Sequence, residues 1–321
     1  MSHKVAVIIP CYKVRTFVLD VIKKIGPDVD FIVVVDDKCP DNSGEFIVKE
    51  CSDQRLTVVF HEINKGVGGA VMSGYNTALK LGATILVKID GDGQMDPSIM
   101  SSIIAPIVSG QADYTKGNRF HSFYSVSKMP KLLIFGNASL SFLTKFSSGY
   151  WSVFDPTNGY IAIHKAALIK LELKNISERY FFESDMLIKL GDVRALVVDV
   201  PMEAVYGEEE SNLKISNIFF QFFIGNIKAT LRRIIYSYYM RDFNIASVEL
   251  FFGIVFTLFG LIYGSIEWSL SIINDEVAST GTVMIATLPI ILGFQMLLAF
   301  LNYDVGNEPK IPLQKLTVKD E

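Results

Sequence analysis

With 321 residues, half of them hydrophobic, the chain is long enough for one sizeable α/β domain plus an appendage. Its formal net charge of -4 excludes the basic surface that general nucleic-acid binding needs, so no nucleic-acid partner is expected. Three cysteines, an odd number with no CxxC pair, exclude a full disulfide framework and suit a reducing compartment.

The N-terminus runs straight into a strand-like segment and lacks the long apolar core of a signal peptide. Lys4 to Pro10 is a short β-branched run closed by proline, the pattern of a buried strand. Arg15 to Ile25 has helical spacing, with Phe17, Val18, Val21, Ile22 and Ile25 on one face. Asp30 to Asp37 is a second buried strand that ends in acids. Ser43 to Cys51 follows as a helix and Leu56 to His61 as a third strand. Glycine-rich Asn64 to Gly69 leads into a helix reaching about Leu81, and Thr84 to Asp90 is a fourth strand, again ending in acids. Strands alternating with helices imply right-handed crossovers and a largely parallel sheet. Such sheets bind ligands at the carboxyl ends of their strands, where Asp36-Asp37 and Asp90-Asp92 fall.

Further along, Ala112 to Asn118, Gly159 to His164 and Ala195 to Val200 have strand character, and Phe182 to Leu190 helical character. From Lys214 to Phe243 aromatic residues interleave with Lys228, Arg232, Arg233 and Arg241, which suits a helix lying in a membrane interface. Leu250 to Ile266 carries no charge, and its hydrophobic stretch continues to about Ile273. Thr282 to Leu301 is a second apolar run near the roughly 20 residues that span a bilayer. The link Asn274 to Gly281 has no Lys or Arg, whereas Arg232, Arg233 and Arg241 precede the pair and Lys310, Lys315 and Lys319 follow it. The positive-inside rule therefore places both termini, and with them the N-terminal α/β domain, in the cytoplasm, in a multi-pass protein of the cell membrane. Two spans enclose little of their own surface, which is compatible with a homo-oligomer, though no interface motif specifies one.

Chemistry concentrates in Asp90-Gly91-Asp92-Gly93-Gln94. Two carboxylates one residue apart at a strand end can share a hard cation, and the glycines let the backbone turn tightly. Mg²⁺ takes one or two carboxylates and completes its shell with water and substrate phosphates. A cation and a diphosphate therefore suit the pattern. None of the four histidines pairs at metal-ligand spacing.

The ordered motifs VIIPCYKV, VVVDDKCPDNS, NKGVGGAVMSGYNTAL, KIDGDGQMDP, KGNRF, DPTNGYIAI, FFESDMLIKL and VYGEEESNLK resemble those of family-2 glycosyltransferases of the GT-A fold. Within them the chain is similar to the polyprenyl-phosphate glycosyltransferases related to dolichol-phosphate mannose synthase and to GtrB-like bactoprenol glucosyltransferases. The resemblance implies an α/β GT-A domain with a mainly parallel sheet, followed by interfacial helices and two transmembrane helices. The implied divisions are 1–212 catalytic, 213–246 juxtamembrane, 247–302 anchor and 303–321 tail.

It also implies roles. Pro10, Tyr12, Asp36, Asp37, Lys65, Gly66 and Asp90 would bind the nucleotide sugar, with Asn64 and Gly69 in the same glycine-rich segment. Asp90, Asp92 and Gln94 would hold Mg²⁺ or Mn²⁺. Arg119, Lys131, Ser211 and Lys214 would meet donor or acceptor phosphate. Asp92, Arg119, Asp155, Glu183 and Asp185 would form the catalytic set. Where relatives often carry Asn-Glu after the first tyrosine, Lys13 and Val14 stand here, and Glu208, Glu209 and Glu210 crowd the late motif.

The expected reaction moves one sugar, with inversion, from a UDP-linked donor to a polyprenyl phosphate. The alternatives are a glycan hydroxyl acceptor and a non-catalytic membrane scaffold. A phosphomonoester is already anionic near neutral pH, so a lipid phosphate needs positioning more than a general base. Asp155, Glu183 and Asp185 are therefore expected to orient sugar hydroxyls or a basic partner.

Overall fold

A computed structural model describes residues 3–122, 126–127, 131–203 and 215–316. It contains two compact units, Met1–Thr230 with Pro309–Glu321, and Leu231–Glu308.

The first unit is built on a seven-stranded sheet. The strands are β1 (Val5–Cys11), β2 (Phe31–Asp36), β3 (Leu56–Phe60), β4 (Ile85–Lys88), β5 (Tyr114–Asn118), β6 (Ile161–His164) and β7 (Val197–Pro201), in the order β3-β2-β1-β4-β6-β5-β7. Only β6 runs against its neighbours, pairing antiparallel with both β4 and β5. The mainly parallel sheet expected from strand–helix alternation is the one that forms. Its central strands β1, β2 and β4 are buried on both faces, which is why they occur as nearly continuous apolar runs. Alternate residues serve opposite faces. Ala6, Ile8, Val33, Val35 and Leu86 pack under helix α3 (Gly66–Lys80). Val5, Val7, Ile9, Val34 and Val87 pack on the other side with helices α1 (Val18–Lys23), α2 (Ser43–Glu50) and α4 (Met100–Val108).

The order of the four N-terminal strands creates the functional opening. Crossovers from β1 lead to β2 on one side, while β4 lies on the other. This is the switch point at which open α/β sheets form a crevice. The β1–β4 pairing covers only Val5 to Ile8 of β1. Pro10 lies beyond it, so a residue with no N–H is tolerated inside a central strand.

Helix α5 (Lys131–Ser148) and short helix α6 (Lys165–Leu168) follow β5 and β6, and α7 (Phe182–Asp192) precedes β7. His164 caps α6 by accepting at Nδ1 from the Ala166 amide, 3.2 Å away. Burial, then His3 and Lys165, push this imidazole down to about 4, with Asp113 opposing. Only the neutral ring can accept at Nδ1, whereas the unfolded chain takes up its proton near 6.5. The group's contribution is therefore complete above the unfolded value and is lost as pH falls through the folded one. In thermal melts, His164→Gln should decline less steeply than the parent between these two pH values. Parallel profiles would refute the assignment.

The chain after the second unit returns to the first. Short helix α11 (Leu313–Leu316) starts on the fully buried Asp113 carboxylate, which accepts from the Leu313 amide at 2.7 Å and the Gln314 amide at 3.0 Å. Asp113 also accepts from the Leu196 amide, and the Gln314 side chain donates to the Ile107 and Ala112 carbonyls. Leu313 itself joins the hydrophobic core. Removing the carboxylate orphans three backbone donors at about 1–3 kcal/mol for an unsatisfied group. Asp113→Ala should therefore release this segment, seen as faster amide exchange at Leu313 and Gln314, and should lower Tm. Unchanged exchange there would count against the clasp.

Helix α8 (Ile215–Ile235) begins in the first unit. Its inner face seats Phe222 edge-on against Phe181, and Asn226 accepts a 2.6 Å hydrogen bond from the Ser147 hydroxyl. Phe220, Phe223, Ile227, Leu231 and Ile235, spaced three or four apart, form an exposed apolar stripe along the same helix.

The second unit is a pair of long helices, α9 (Ile245–Asn274) and α10 (Thr280–Gly306), in each of which the most apolar 18-residue stretch has a mean hydropathy of 2.2. Only 28% and 11% of their most apolar stretches are buried, the reverse of soluble core helices, so both are long and bare enough to cross a membrane. Small residues let their backbones approach: a Cβ on Gly260 would lie 2.6 Å from the Ala286 carbonyl oxygen, and one on Gly293 2.6 Å from the Thr257 amide nitrogen. Asn244 and Ser279 cap the two helices. Arg233 grips Asp304 with two hydrogen bonds of 2.7 and 2.9 Å, and the Tyr238 hydroxyl donates to the same carboxylate.

Candidate active site

A cleft of about 420 Å³ opens in the first unit where β1 and β4 diverge. Pro10, Cys11, Tyr12 and Val14 form one wall, and Asp90, Gly91 and Asp92 another. Asp37, Asn64, Gly66, Val67 and Ala70 close a third side, with Arg179 packed beside Gly66 and Tyr180 following it. The sequence places most of these residues in a site, but gives no periodicity or motif that singles out Arg179 and Tyr180. Their only signal is position, directly before FFESD.

The two N-terminal acids have different tasks. Asp36 is buried and organises the loop after β2, accepting from the Cys39 and Gly44 amides at 2.7 Å each. It does not line the cleft. Asp37 does, and it also clamps the glycine-rich segment: it accepts from the Lys65 amide at 2.8 Å and the Gly66 amide at 2.7 Å. His61 bridges behind it, with Nδ1 2.7 Å from Asp37 and Nε2 2.8 Å from the Ser73 hydroxyl. Lys65 thus contributes its backbone to this clamp. Gly66 has a φ of 83°, and a Cβ there would lie 2.6 Å from the Glu178 carbonyl oxygen. The third wall can close on the segment carrying Arg179 only because this residue has no side chain.

The DxD turn follows β4 directly. Asp92 accepts from the Gln94 amide at 3.0 Å, and Gly93, with a φ of 80°, lets the chain reverse. The Gln94 side chain is not part of the cleft lining. Asp90 bonds the Lys88 ammonium at 2.8 Å, and Glu183 approaches that ammonium at 3.4 Å. Burial alone would push Lys88 down, but Asp90 and Glu183 more than offset it and hold the ammonium above its ordinary value. Neighbouring Lys116, also fully buried, donates to the Asn158 carbonyl, and burial lowers it to about 8 against the opposing pull of Glu183 and Asp155.

Asp90 and Asp92 present hard oxygen donors to the cleft, the chemistry that Mg²⁺ or Mn²⁺ requires. Among the described residues no cluster of three or more His, Cys, Asp or Glu could hold an ion alone. A cation here would complete its shell from substrate phosphate and water.

The remaining predicted carboxylates are all engaged. Asp155 is fully buried and grips Arg119 in a fork, with Nε 2.7 Å and Nη2 2.9 Å from its two oxygens. Asp185 accepts from the Ser177 amide at 2.7 Å and so fixes the start of the segment that ends in Arg179 and Tyr180. Glu183 faces Lys88. None of Arg119, Asp155, Glu183 and Asp185 is among the residues that line the cleft. Ser211 and Lys214 lie outside the described residues, as does the side chain of Lys131 at the start of α5.

Comparison with known proteins agrees with this geometry. The family described as Glycosyl transferase family 2 matches residues 6–172. A UDP-N-acetylglucosamine--dolichyl-phosphate N-acetylglucosaminyltransferase from Methanococcus voltae is 32% identical over 63% of this chain and 85% of its own length. A polyprenol monophosphomannose synthase from Mycolicibacterium smegmatis is 28% identical over 63% of this chain and 77% of its own. Among solved structures, glucosyl-3-phosphoglycerate synthase from Mycobacterium tuberculosis, in complex with Mn²⁺, UDP and phosphoglyceric acid, has a TM-score of 0.55 at 16% identity, covering 71% of this chain and 78% of that one. Mannosyl-3-phosphoglycerate synthase from Rubrobacter xylanophilus has a TM-score of 0.58 at 14% identity, covering 75% and 77%. At such identities these two structures establish the shared fold, the GT-A fold.

Proposed function

The chain belongs to glycosyl transferase family 2 and is a glycosyltransferase, and from that premise we propose that it transfers one sugar from a UDP-linked donor to a polyprenyl phosphate. The donor is inferred from the relative named for UDP-N-acetylglucosamine and from the fold neighbour that holds UDP with Mn²⁺. The acceptor class is inferred from relatives named for dolichyl phosphate and polyprenol. The observation in this chain that carries the reading is the commitment of Asp155, Glu183 and Asp185 to Arg119, Lys88 and the Ser177 amide. A hydroxyl acceptor needs a base to take its proton, whereas a lipid phosphate arrives ionised.

In this reading Pro10, Tyr12 and Asp37 form the nucleotide side of the cleft. Asp90 and Asp92 would hold Mg²⁺ or Mn²⁺, which when bound supplies Lewis-acid stabilisation of the leaving diphosphate. The Asp37 clamp keeps the Lys65–Gly66 backbone in place, and Arg179, packed beside Gly66, adds a cation to the cleft lining. The phosphate oxygen of the acceptor attacks the anomeric carbon from the face opposite the leaving group, which inverts the centre. No residue of the chain needs to gain or lose a proton in that step.

The helices α9 and α10 anchor the enzyme in the bilayer. The chain enters this pair from the catalytic unit and returns to it through the Asp113 clasp, which supports a hairpin with both ends on one side of the membrane. The lysine- and arginine-bearing flanks make that side cytoplasmic. The apolar stripe of α8, flanked by Lys228 and Arg232, lies at the lipid surface and favours anionic headgroups.

The test is partition of label. Purified full-length protein is incubated with labelled nucleotide sugars, Mg²⁺ or Mn²⁺ and polyprenyl phosphate. Label is expected in the organic phase from at least one UDP-linked donor. Label that stays in water across the whole donor panel rejects the proposal.

A further inference from the structure

Lys88 is the last residue of β4 and only 1% exposed, at a strand position flanked by the buried Val87 and Ile89. Burying an ammonium in a sheet is costly unless its hydrogen bonds and charge are met. Both are met here from separate parts of the chain: Asp90 from the turn after β4, at 2.8 Å, and Glu183 from the first turn of α7, at 3.4 Å. The backbone opposite is shaped to admit this group. A Cβ on Gly159 would lie 2.3 Å from the Lys88 nitrogen and 2.8 Å from Asp90 Oδ2.

We propose that Lys88 is a positioning residue for Asp90, holding Oδ1 from behind, with Glu183 as counter-ion, so that the carboxylate meets an incoming cation in one fixed orientation. The inference rests on the proposed cation role of Asp90 and Asp92 and deepens it. The Asp90 side chain is 29% exposed, so one edge remains open to the cleft. Glu183, which sequence resemblance places among the catalytic residues, acquires an indirect role through Lys88. Deleting Lys88 and Glu183 together leaves the net charge of the site unchanged and removes the ammonium that contacts Oδ1.

The experiment is Mn²⁺ binding by electron paramagnetic resonance on the full chain in nanodiscs, with UDP present, beside metal-free UDP binding and thermal melting. Lys88→Met/Glu183→Gln should weaken Mn²⁺ by about tenfold or more, as loss of a partner behind a ligand commonly does. Metal-free UDP binding should stay within about twofold, since the nucleotide wall is untouched. Should the double variant not fold, Lys88→Arg is read in the same way: it keeps the charge but moves the donor from its place against Oδ1, so it too should weaken Mn²⁺. Unchanged Mn²⁺ affinity in the folded variant, or an equal loss of metal-free UDP binding, would overturn the positioning role. A parent protein that takes up no Mn²⁺ with UDP would instead overturn the cation reading beneath it.

Discussion

Asp92→Asn lowers kcat/KM for sugar transfer by about 10²–10³-fold while leaving the fold intact, the size expected when one electrostatic contact to a leaving group is lost. The side chain lines the cleft on a turn whose shape depends on acceptance of the Gln94 amide at 3.0 Å. Asparagine keeps that acceptor and the volume but removes the charge, so the loss reports on cation and diphosphate binding. Circular dichroism and melting should match the parent. A loss below about threefold would be too small for this role and would remove Asp92 from the chemistry.

Arg119→Met destabilises the catalytic unit by about 3–5 kcal/mol, because it strands the fully buried Asp155 carboxylate. The fork between the two, at 2.7 and 2.9 Å, is the strong form of such a contact. Asp155→Asn should also destabilise, and Arg119→Met/Asp155→Asn should be more stable than the sum of the single variants implies. Chemical denaturation of the four proteins measures this cycle. A grip on substrate phosphate, the role that sequence resemblance assigns to Arg119, gives a different outcome: activity falls at unchanged stability. The cycle therefore separates a scaffold for the cleft from a direct ligand contact.

The parallel half of the sheet was legible because its strands are apolar runs separated by helical periodicity, and each acid cluster marks a strand end. The location of the cleft followed from that placement. The division of labour inside each cluster did not. Asp36 and Asp37 are adjacent and chemically identical; strand alternation sends them to opposite faces, and only the loops folded against each face make one organise Cys39–Gly44 and the other line the cleft. Likewise Arg119 and Asp155 are 36 positions apart, and their union depends on the fold. Arg179 and Tyr180 reach the cleft because Gly66 admits the backbone of their segment, a contact between distant loops. The return of Leu313 to the core was hidden for the same reason, since its partner Asp113 lies 200 residues earlier. Lys88 falls within a strand of otherwise apolar residues, and only the positions of Asp90 and Glu183 explain it.

The acceptor is the central claim, and one comparison tests it most directly. Full-length protein, a UDP-linked sugar and Mn²⁺ are given polyprenyl phosphate or the unphosphorylated polyprenol of the same length, and the lipid products are weighed by mass spectrometry. The account predicts a single added sugar on the phosphorylated lipid and none on the alcohol. A sugar on polyprenol, or transfer only to a water-soluble glycan, would contradict it.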